Sequence, residues 1–208
     1  KTGIEPHFSD GLRVTDAATL EIAEMVLGKV NSDLVTMAQQ LGVRACGISG
    51  KDGRLLTVKR ATPGGNDIGY VGEVTHVDTK IIMDLLANDF LPVIYPIGMD
   101  KDGQSYNING DHAAAEIAQA LQADKLAYLT DTSGVYTDPD DPESFISELS
   151  ITEAEQLIDN GTVSGGMIPK IRNCIHSVLN GVNRVHILNG SIPHCLLLEI
   201  FTDRGVGT

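Results

Sequence analysis

The sequence predicts an α/β fold in which helices cover a buried, mostly parallel sheet. From residue 78 onward, stretches with helical periodicity alternate with short apolar stretches, and the latter are nearly continuous in hydrophobic residues. Strands of this kind occur where both faces of a parallel sheet are covered. The 208 residues are 42% hydrophobic, which is enough for one substantial core.

Four features are predicted before residue 78. The first is a helix capped by Thr15 or Asp16, because Leu20, Ala23 and Leu27 recur at helical spacing. The others are a second helical stretch at 34–41 ended by Gly42, a β-hairpin of strands Val43–Ile48 and Leu55–Lys59, and a mobile loop at Ala61–Gly69.

The rest of the chain is predicted to alternate between strands and helices. Predicted helices cover 78–89, 111–122 and 167–180, and predicted strands cover 91–97, 105–109, 126–129 and 184–188. Thr152 and Glu155 have capping-box spacing before a further short helix. The hairpin is then an antiparallel appendage to the parallel sheet.

Charge and hydropathy exclude two classes of function. The net charge of −13 argues against a nucleic-acid binder, which needs a basic surface, but not against a nucleotide site. No apolar run approaches the roughly 20 residues that span a bilayer, and no signal peptide is recognisable. The three cysteines are odd in number and far apart, so we expect free thiols in a reducing cytoplasm.

Four segments are candidates for ligand binding, because ligands of open α/β sheets gather where strands end and helices begin. In Tyr106–Asp111, a strand runs directly into an alanine-rich helix. Asn107 and Asn109 fall on one face of the strand and Asp111 at the helix start, which suits a polar substrate and a cation. The alternative is that Asp111 is only an N-cap.

Two further segments have the composition of phosphate-binding loops. In Leu129–Tyr136, an apolar strand ends in a hydroxyl- and glycine-rich loop that suits a nucleotide but is common in α/β connections. In Ser164–Lys170, two glycines bring backbone N–H groups to a helix N-terminus, where Lys170 would meet a transferring phosphoryl group. A flexible hinge followed by a surface lysine is the alternative.

The fourth segment, Gly11–Asp16, has an arginine just before a helix start. Arg13 would form a bidentate pair with a substrate carboxylate or bind a neighbouring acidic group. Other known motifs do not fit. The run Ser49–Lys51 lacks the flanking residues of a P-loop, the acidic loops lack the EF-hand pattern, and the six histidines lack metal-ligand spacing. No metal site made by protein ligands is therefore predicted.

Taken in order, the segments 11–16, 106–111, 164–170 and 201–208 resemble those of the N-acetylglutamate kinases, within the amino-acid kinase family. The resemblance extends over essentially the whole chain. It implies the amino-acid kinase fold, a three-layer αβα sandwich with a mostly parallel central sheet and a β-hairpin lid near Lys51–Lys59. It also implies an N-acetylglutamate-binding lobe within 1–104 and an ATP-binding lobe at 105–208.

The implied reaction is ATP-dependent phosphorylation of the side-chain carboxylate of N-acetyl-L-glutamate, in arginine biosynthesis. By resemblance, Arg13 and Asn107 bind the substrate, Asp111 organises the charged groups and Lys170 stabilises the phosphoryl group in transfer. The implied ATP-binding residues are Asp131, Thr132, Ser133, Gly134, Val135, Tyr136, Thr162, Val163 and Ser164. Mg²⁺ is held mainly through the nucleotide phosphates.

The resemblance also bears on regulation and assembly. His186, Glu199 and Gly205 match positions that form the site for inhibitory arginine in arginine-controlled members. The implied protein is a homo-oligomer, a dimer or a hexamer, in the cytoplasm or, in a plant or alga, the plastid. A PII signalling protein is a further partner of some members.

The family pattern also includes a Lys-x-Gly-Gly strand end and a His-Gly-Gly-Gly-Pro loop near the N-terminus, and neither occurs in these 208 residues. That lysine is the second cation on the phosphoryl group, so we expect negligible kinase activity from these residues in isolation. The rivals left open are aspartate, carbamate and uridylate kinases and a non-catalytic arginine-sensing module.

Overall fold

The computed structural model describes residues 8–9, 12–131, 134–138, 141–202 and 206–208. The chain forms two compact units, Lys1–Ala120 and Leu121–Thr208. This division falls after the helix that follows Asn107, whereas the predicted lobe boundary lies at 104/105. The strand and the helix that carry Asn107 and Asp111 therefore both belong to the first unit.

The described residues form an α/β structure, which confirms the predicted fold class. The helices are α1 (Ala17–Gln40), α2 (Lys80–Ala87), α3 (Gly110–Ala120), α4 (Ile151–Asp159), α5 (Met167–Leu179) and α6 (Cys195–Phe201). The strands are β1 (Phe8–Ser9), β2 (Leu12–Arg13), β3 (Ala45–Ser49), β4 (Leu56–Arg60), β5 (Gly72–Val77), β6 (Leu91–Tyr95), β7 (Ile97–Met99), β8 (Ser105–Asn107), β9 (Lys125–Thr130), β10 (Val135–Tyr136), β11 (Phe145–Ile146) and β12 (Arg184–Asn189). Within the described ranges, no helix combines the length and the apolar character needed to cross a membrane.

Two sheets organise the first unit. In one, β3 and β6 run parallel, with Ala45 opposite Leu91, and α1 packs against both strands. In the other, the strand order is β5-β4-β7-β8, and α3 packs against β5. In this second sheet β4 is parallel to β7, while β4 with β5 and β7 with β8 are antiparallel.

Helix α1 is one continuous helix of 24 residues, where the sequence predicts two helical stretches. Asp16 is its N-cap, since the carboxylate accepts the N–H of Thr19 at 2.7 Å. Gly42 follows its end with a φ of +82°, the left-handed conformation typical of this position. Asn31 does not interrupt the helix, because its buried side chain donates to the carbonyl of Val93 in β6 at 2.8 Å.

The β-hairpin is present, but its strands differ from the predicted pair. The prediction joins Val43–Ile48 to Leu55–Lys59, whereas β3 pairs with β6, and β4 forms an antiparallel hairpin with β5. A 3₁₀ turn at Asp52–Arg54 separates β3 from β4. The Asp52 carboxylate accepts the N–H and the hydroxyl of Ser49, which fixes this turn and directs the chain into the other sheet.

The second unit is built on the parallel pair of β9 and β12. Helices α5 and α6 pack against β12, and α4 packs against α5. A capping box does begin α4, but Ser150 and Glu153 form it rather than Thr152 and Glu155. The predicted pair is wrong because Ile151 is already helical, so a cap must precede it.

Thr15 connects the start of α1 by backbone hydrogen bonds to the segment just before β5. It is fully buried, its N–H donates to the carbonyl of Ile68 at 3.0 Å, and its carbonyl accepts the N–H of Tyr70 at 2.6 Å. Between these two residues Gly69 has a φ of +79°, and a Cβ there would overlap the Thr15 carbonyl. Ala61 and Ile68 are buried, so the stretch predicted as a mobile loop is anchored near both of its ends.

Replacing Gly69 by alanine is expected to destabilise the protein by at least ~2 kcal/mol, because the new Cβ meets backbone atoms as well as an unfavourable φ. Urea denaturation followed by circular dichroism measures this loss.

Gly65→Ala is the matched control. Gly65 has a similar φ of +82°, but the position of its Cβ has no heavy atom within 4 Å. This variant should lose only the ~1 kcal/mol of left-handed backbone strain. Equal losses in the two variants would contradict the close approach of Gly69 to Thr15.

Candidate functional site

Asn107 lies in the last position of β8 and is held on two sides. It is paired with Ile97 in β7, and its N–H donates to the carbonyl of Tyr70 at 2.9 Å. Its side chain is half-buried. Backbone bonds on both sides thus fix the position of Asn107, while its amide group takes no part in the strand pairing.

Asn109, rather than Asp111, is the N-cap of α3. The side-chain oxygen of Asn109 accepts the N–H of His112 at 3.1 Å, and its carbonyl accepts the N–H of Ala113 at 2.9 Å. Asp111 lies within the first turn of the helix and is half-buried. The alternative in which Asp111 serves only as the cap is therefore wrong, and the positive end of the helix stabilises its carboxylate.

The short segment Ile68–Val71 connects the two predicted substrate-binding residues. Thr15 is hydrogen-bonded to this segment on one side, and Asn107 is hydrogen-bonded to Tyr70 and bridged to Val71. Arg13, in β2, lies two residues before Thr15. The backbone around Arg13 and the backbone around Asn107 are thereby joined through one segment.

Tyr70 is the residue of this region that sequence analysis missed. Its ring lies 6.1 Å from the ring of Tyr106, and the guanidinium carbon of Arg60 lies 5.8 Å from its centroid. Arg60 also donates to the carbonyl of Gly69 at 2.9 Å and pairs with Asp67 at 2.8 Å. The available signal was the pair of glycines that flank Tyr70 and Val71, since such spacing permits close backbone approach.

In the second unit, the predicted nucleotide loop follows β9. Asp131 is exposed, Thr132 and Ser133 lie outside the described residues, and Gly134 leads into β10. The side chain of Val135 belongs to a hydrophobic cluster that also includes Val163. The side chains of these two predicted ATP-binding residues are therefore buried, and their N–H groups donate to the Thr208 hydroxyl and the Leu157 carbonyl.

The remaining predicted nucleotide-binding residues are Tyr136 and the residues 162–164, which follow α4. The Tyr136 ring packs edge-to-face on Phe145 with centroids 5.4 Å apart. Thr162 is half-buried, and its N–H donates to the side chain of Asn160 at 3.0 Å. Ser164 is exposed and immediately precedes the two glycines. The structure thus gives Tyr136 and Thr162 fixed positions in the second unit.

Lys170 lies in the first turn of α5, beside β9. It is half-buried, and its ammonium group lies 5.8 Å from the centroid of the buried Tyr128 ring, which is a cation–π distance. Gly165 has a φ of +57°, and neither it nor Gly166 has a heavy atom within 4 Å of its Cβ position. The N–H groups of Met167 and Ile168 donate to the carbonyls of Ser164 and Gly165 at 3.4 Å, so the open glycines before the helix are what gives a phosphate group room to approach.

His186 in β12 and Glu199 in α6 are in direct contact. The Nδ1 of His186 lies 2.7 Å from the Oε1 of Glu199, and their side chains are only 14% and 11% exposed. The Oε2 of Glu199 accepts the N–H groups of Val206 and Gly207 at 2.8 and 3.2 Å. Gly205, the third predicted effector residue, lies outside the described residues.

The hydrogen bonds of Glu199 determine its charge. Burial alone raises the pKa of this carboxyl, but the N–H of Val206, the imidazole of His186 and the N–H of Gly207 outweigh burial and hold the pKa below its usual range. Glu199 is therefore ionised throughout the neutral range, and its carboxylate fixes the segment 206–207.

A cavity of about 690 Å³ adjoins the His186–Glu199 pair, and Glu148 and Arg184 also line it. The Nε2 atom of His186 is buried and has no hydrogen-bond partner in the part of the chain that the structure describes. A buried nitrogen without a partner costs free energy unless a ligand or a water satisfies it. The cavity is thus lined by two carboxylates, Glu148 and Glu199, together with two cations, Lys125 and Arg184.

Comparisons with known proteins identify the family. The sequence model of the family described as "Amino acid kinase family" matches residues 1–189. An acetylglutamate kinase of Synechocystis is 50% identical over 209 residues, which cover 100% of this chain and 70% of that protein. The chain therefore belongs to the amino acid kinase family, and this similarity supports the predicted kinase class.

Solved structures give the same fold. An N-acetylglutamate synthase from Neisseria gonorrhoeae, complexed with coenzyme A and N-acetyl-glutamate, is 32% identical with a TM-score of 0.85, covering 98% of this chain and 46% of that chain. Its complex with coenzyme A and L-arginine is 29% identical with a TM-score of 0.78, covering 99% and 48%. A carbamate kinase from Giardia, 17% identical with a TM-score of 0.65 over 100% and 75%, shows the fold alone. This chain spans less than half of the synthase.

Glu199→Gln is expected to lower the thermal midpoint at pH 7 by roughly 2–6 °C, because the ionised carboxylate is the stronger hydrogen-bond acceptor. Since the folded pKa of Glu199 is lowered, its contribution is complete above the ordinary glutamate value of 4.5 and is lost as the pH falls through the folded pKa. The difference between wild type and variant should therefore shrink below pH 4.5.

Differential scanning calorimetry between pH 7 and pH 3 makes this measurement. Glu155→Gln, at an exposed position on α4, is the control and should differ little from wild type. A Glu199→Gln difference that stays constant over the whole pH range would contradict the assignment.

Proposed function

We propose that this chain acts in the ATP-dependent phosphorylation of the side-chain carboxylate of N-acetyl-L-glutamate, giving N-acetylglutamyl 5-phosphate in arginine biosynthesis. The observation that carries the proposal is the 50% identity, over the full length of the chain, to an acetylglutamate kinase. The ordered segments 11–16, 106–111 and 164–170 support the same reaction. The carbamate kinase likeness concerns the fold alone and does not favour that rival.

Residues of the first unit would bind the substrate. The guanidinium of Arg13 would take a carboxylate of N-acetylglutamate in a bidentate pair, and the amide of Asn107 would take a polar group of the same substrate. The backbone bonds of Ile68–Val71 to Thr15 and Asn107 favour this role, because they hold both chain regions rigidly. The β4–β5 hairpin would be the lid in place of the predicted Lys51–Lys59 element.

Phosphoryl transfer requires in-line positioning and neutralisation of negative charge, without a covalent intermediate on the enzyme. The ammonium group of Lys170 would stabilise the phosphoryl group in transfer, and the open glycines 165 and 166 would let its oxygens approach the backbone before α5. The segments 131–136 and 162–164 would bind ATP. Asp111 would orient the charged groups, and Mg²⁺, held mainly by the nucleotide phosphates, supplies further neutralisation when bound.

Feedback inhibition by arginine is the regulatory part of the proposal. His186, Glu199 and Gly205 match the effector positions, and the adjoining cavity has carboxylates that suit a guanidinium and an α-amino group. The Neisseria synthase, which is similar to this chain, forms a complex with L-arginine. In the absence of a ligand, Glu199 is bonded to His186, Val206 and Gly207, so arginine would compete for this carboxylate.

Self-association is the remaining part. A stripe of apolar side chains runs along α1, exposed to between 49% and 84%, and consists of Val26, Val30, Leu34, Met37 and Leu41. The members recur every three or four residues and therefore share one helical face. Contiguous apolar faces of this kind mark interfaces. We propose a homo-oligomer, a dimer or a hexamer, in the cytoplasm or plastid, with a PII protein as a further partner.

Lys170→Ala in the full natural protein is expected to lower kcat at least ~10²-fold with little change in the KM for N-acetylglutamate, since the lysine acts on the phosphoryl group in transfer. Lys80→Ala, on an exposed face of α2, is the matched control and should retain activity. ADP release with N-acetylglutamate, aspartate, carbamate and UMP as acceptors measures both rate and specificity. Turnover of another acceptor would select a rival kinase, and arginine binding without turnover would select the sensor.

His186→Ala is expected to weaken arginine binding at least ~10-fold, because it removes an imidazole that positions Glu199. Isothermal titration calorimetry gives the Kd, and His76→Ala, at an exposed position of the first unit, is the control. The arginine proposal fails if the natural protein shows neither binding nor inhibition, or if both variants bind arginine equally.

A further inference from the structure

Thr208 ties three strands of the second unit together. Its hydroxyl accepts the N–H of Val135 in β10 at 2.9 Å and donates to the carbonyl of Ile146 in β11 at 2.6 Å. Its backbone exchanges two hydrogen bonds with Ile187 in β12, at 2.8 and 3.1 Å. One side chain therefore joins the predicted nucleotide loop to the strand that carries His186.

The nucleotide loop is shaped around this hydroxyl. Gly134 has a φ of +132°, and a Cβ at that position would overlap the Oγ1 of Thr208 and lie 2.9 Å from the ring of Phe145. A side chain at 134 and the threonine hydroxyl cannot both occupy this space. Glycine at 134 therefore permits the close approach of the Thr208 hydroxyl to the backbone at 134–135.

The residues just before Thr208 are held by Glu199. The carboxylate accepts the N–H groups of Val206 and Gly207, and its other oxygen contacts His186. Gly207 is buried, and a Cβ there would overlap the backbone of Ile187. The segment 206–208, which we call the tail, is thus bound to Glu199 by its backbone and to β10 and β11 by its last side chain.

We propose that Thr208 is a positioning residue for the nucleotide loop, and that the tail couples the state of the Glu199 carboxylate to ATP binding. This inference rests on the proposed function, which assigns ATP to the segment 131–136 that contains Gly134 and Val135. The two states are a tail bound to Glu199 and a tail released from it. A cationic ligand that takes the carboxylate leaves two backbone N–H groups without an acceptor and loosens Thr208.

Such coupling is reciprocal by thermodynamic linkage. If a ligand of Glu199 weakens ATP binding by a given factor, ATP weakens that ligand by the same factor. The contacts belong to one hydrogen-bonded series within the second unit, from His186 through Glu199 and the tail to Val135. The coupling therefore needs no rearrangement beyond the tail and the loop.

Thr208→Val in the full natural protein tests the positioning role, because valine keeps the shape and the backbone bonds but removes the hydroxyl. We expect the KM for ATP to rise ~5-fold or more, because the Val135 N–H and the Ile146 carbonyl both lose the hydroxyl, with the KM for N-acetylglutamate within 2-fold of wild type. Thr208→Ser should restore the ATP value. An unchanged KM for ATP in Thr208→Val overturns the inference, as does a serine variant no better than valine.

The coupling through the tail has its own test. Glu199→Gln should also raise the KM for ATP, and the Glu199→Gln/Thr208→Val double variant should be no worse than the more affected single variant. Fully additive effects overturn the coupling. If Thr208→Val or the double variant fails to fold, hydrogen exchange at the Val135 amide is measured in Glu199→Gln instead. This amide should exchange at least ~10-fold faster in Glu199→Gln than in wild type, and equal rates refute the coupling.

Failure of this inference is separable from failure of the proposed function. If the wild-type protein neither binds ATP nor phosphorylates N-acetylglutamate, the function is wrong and the coupling falls with it. If the wild type is active and Thr208→Val leaves the KM for ATP unchanged, only the inference about Thr208 fails.

Discussion

In each unit the backbone of a glycine packs directly against a threonine, and the candidate functional segments depend on these two close contacts. In the first unit the carbonyl of Thr15 occupies the space that a Cβ on Gly69 would need, and in the second the hydroxyl of Thr208 does the same at Gly134. Because glycine has no side chain, Thr15 bonds to the segment around Gly69 through its backbone, and the Thr208 hydroxyl reaches the backbone of Val135 beside Gly134. Thr15 thereby joins the start of α1 to the segment before β5, and Thr208 joins β10, β11 and β12.

Backbone positioning suits a protein whose proposed ligands are anions although the chain itself carries a net charge of −13. Charges on distant exposed residues are largely screened beyond about 10 Å at moderate salt, so local groups decide affinity. The cations proposed for that task are Arg13 and Lys170, whose backbones lie in β2 and in the first turn of α5. A fixed backbone limits the volume that such a long side chain samples, although ordering the side chain itself still costs entropy.

Periodicity predicted the α/β class and most elements, because helix and strand patterns are local properties of the sequence. Pairing is not local, and nothing near Ala45 shows that its partner is Leu91 rather than the following strand. Asn31 has a weaker helix propensity than alanine or leucine, and its long-range bond to β6, which sequence periodicity does not show, stabilises it within α1. The sequence placed Asp111 and Lys170 at helix starts, and both lie in the first turn of a helix, while their functional roles stay predictions. The contacts of Tyr70 were not predictable, because its glycine-rich surroundings resemble an ordinary loop.

The lowered pKa of Glu199 limits the kinds of signal that could release the tail from this carboxylate. Burial raises this pKa, but the hydrogen bonds from Val206, His186 and Gly207 prevail, so the carboxylate stays ionised at neutral pH and protonation there does not release the tail. A ligand that displaces the tail must instead bind this carboxylate more strongly than the N–H groups of Val206 and Gly207 do. A guanidinium has five N–H donors and a full positive charge in a geometry that matches a carboxylate. The chemistry of the tail contact therefore favours a cationic ligand over pH as its regulator.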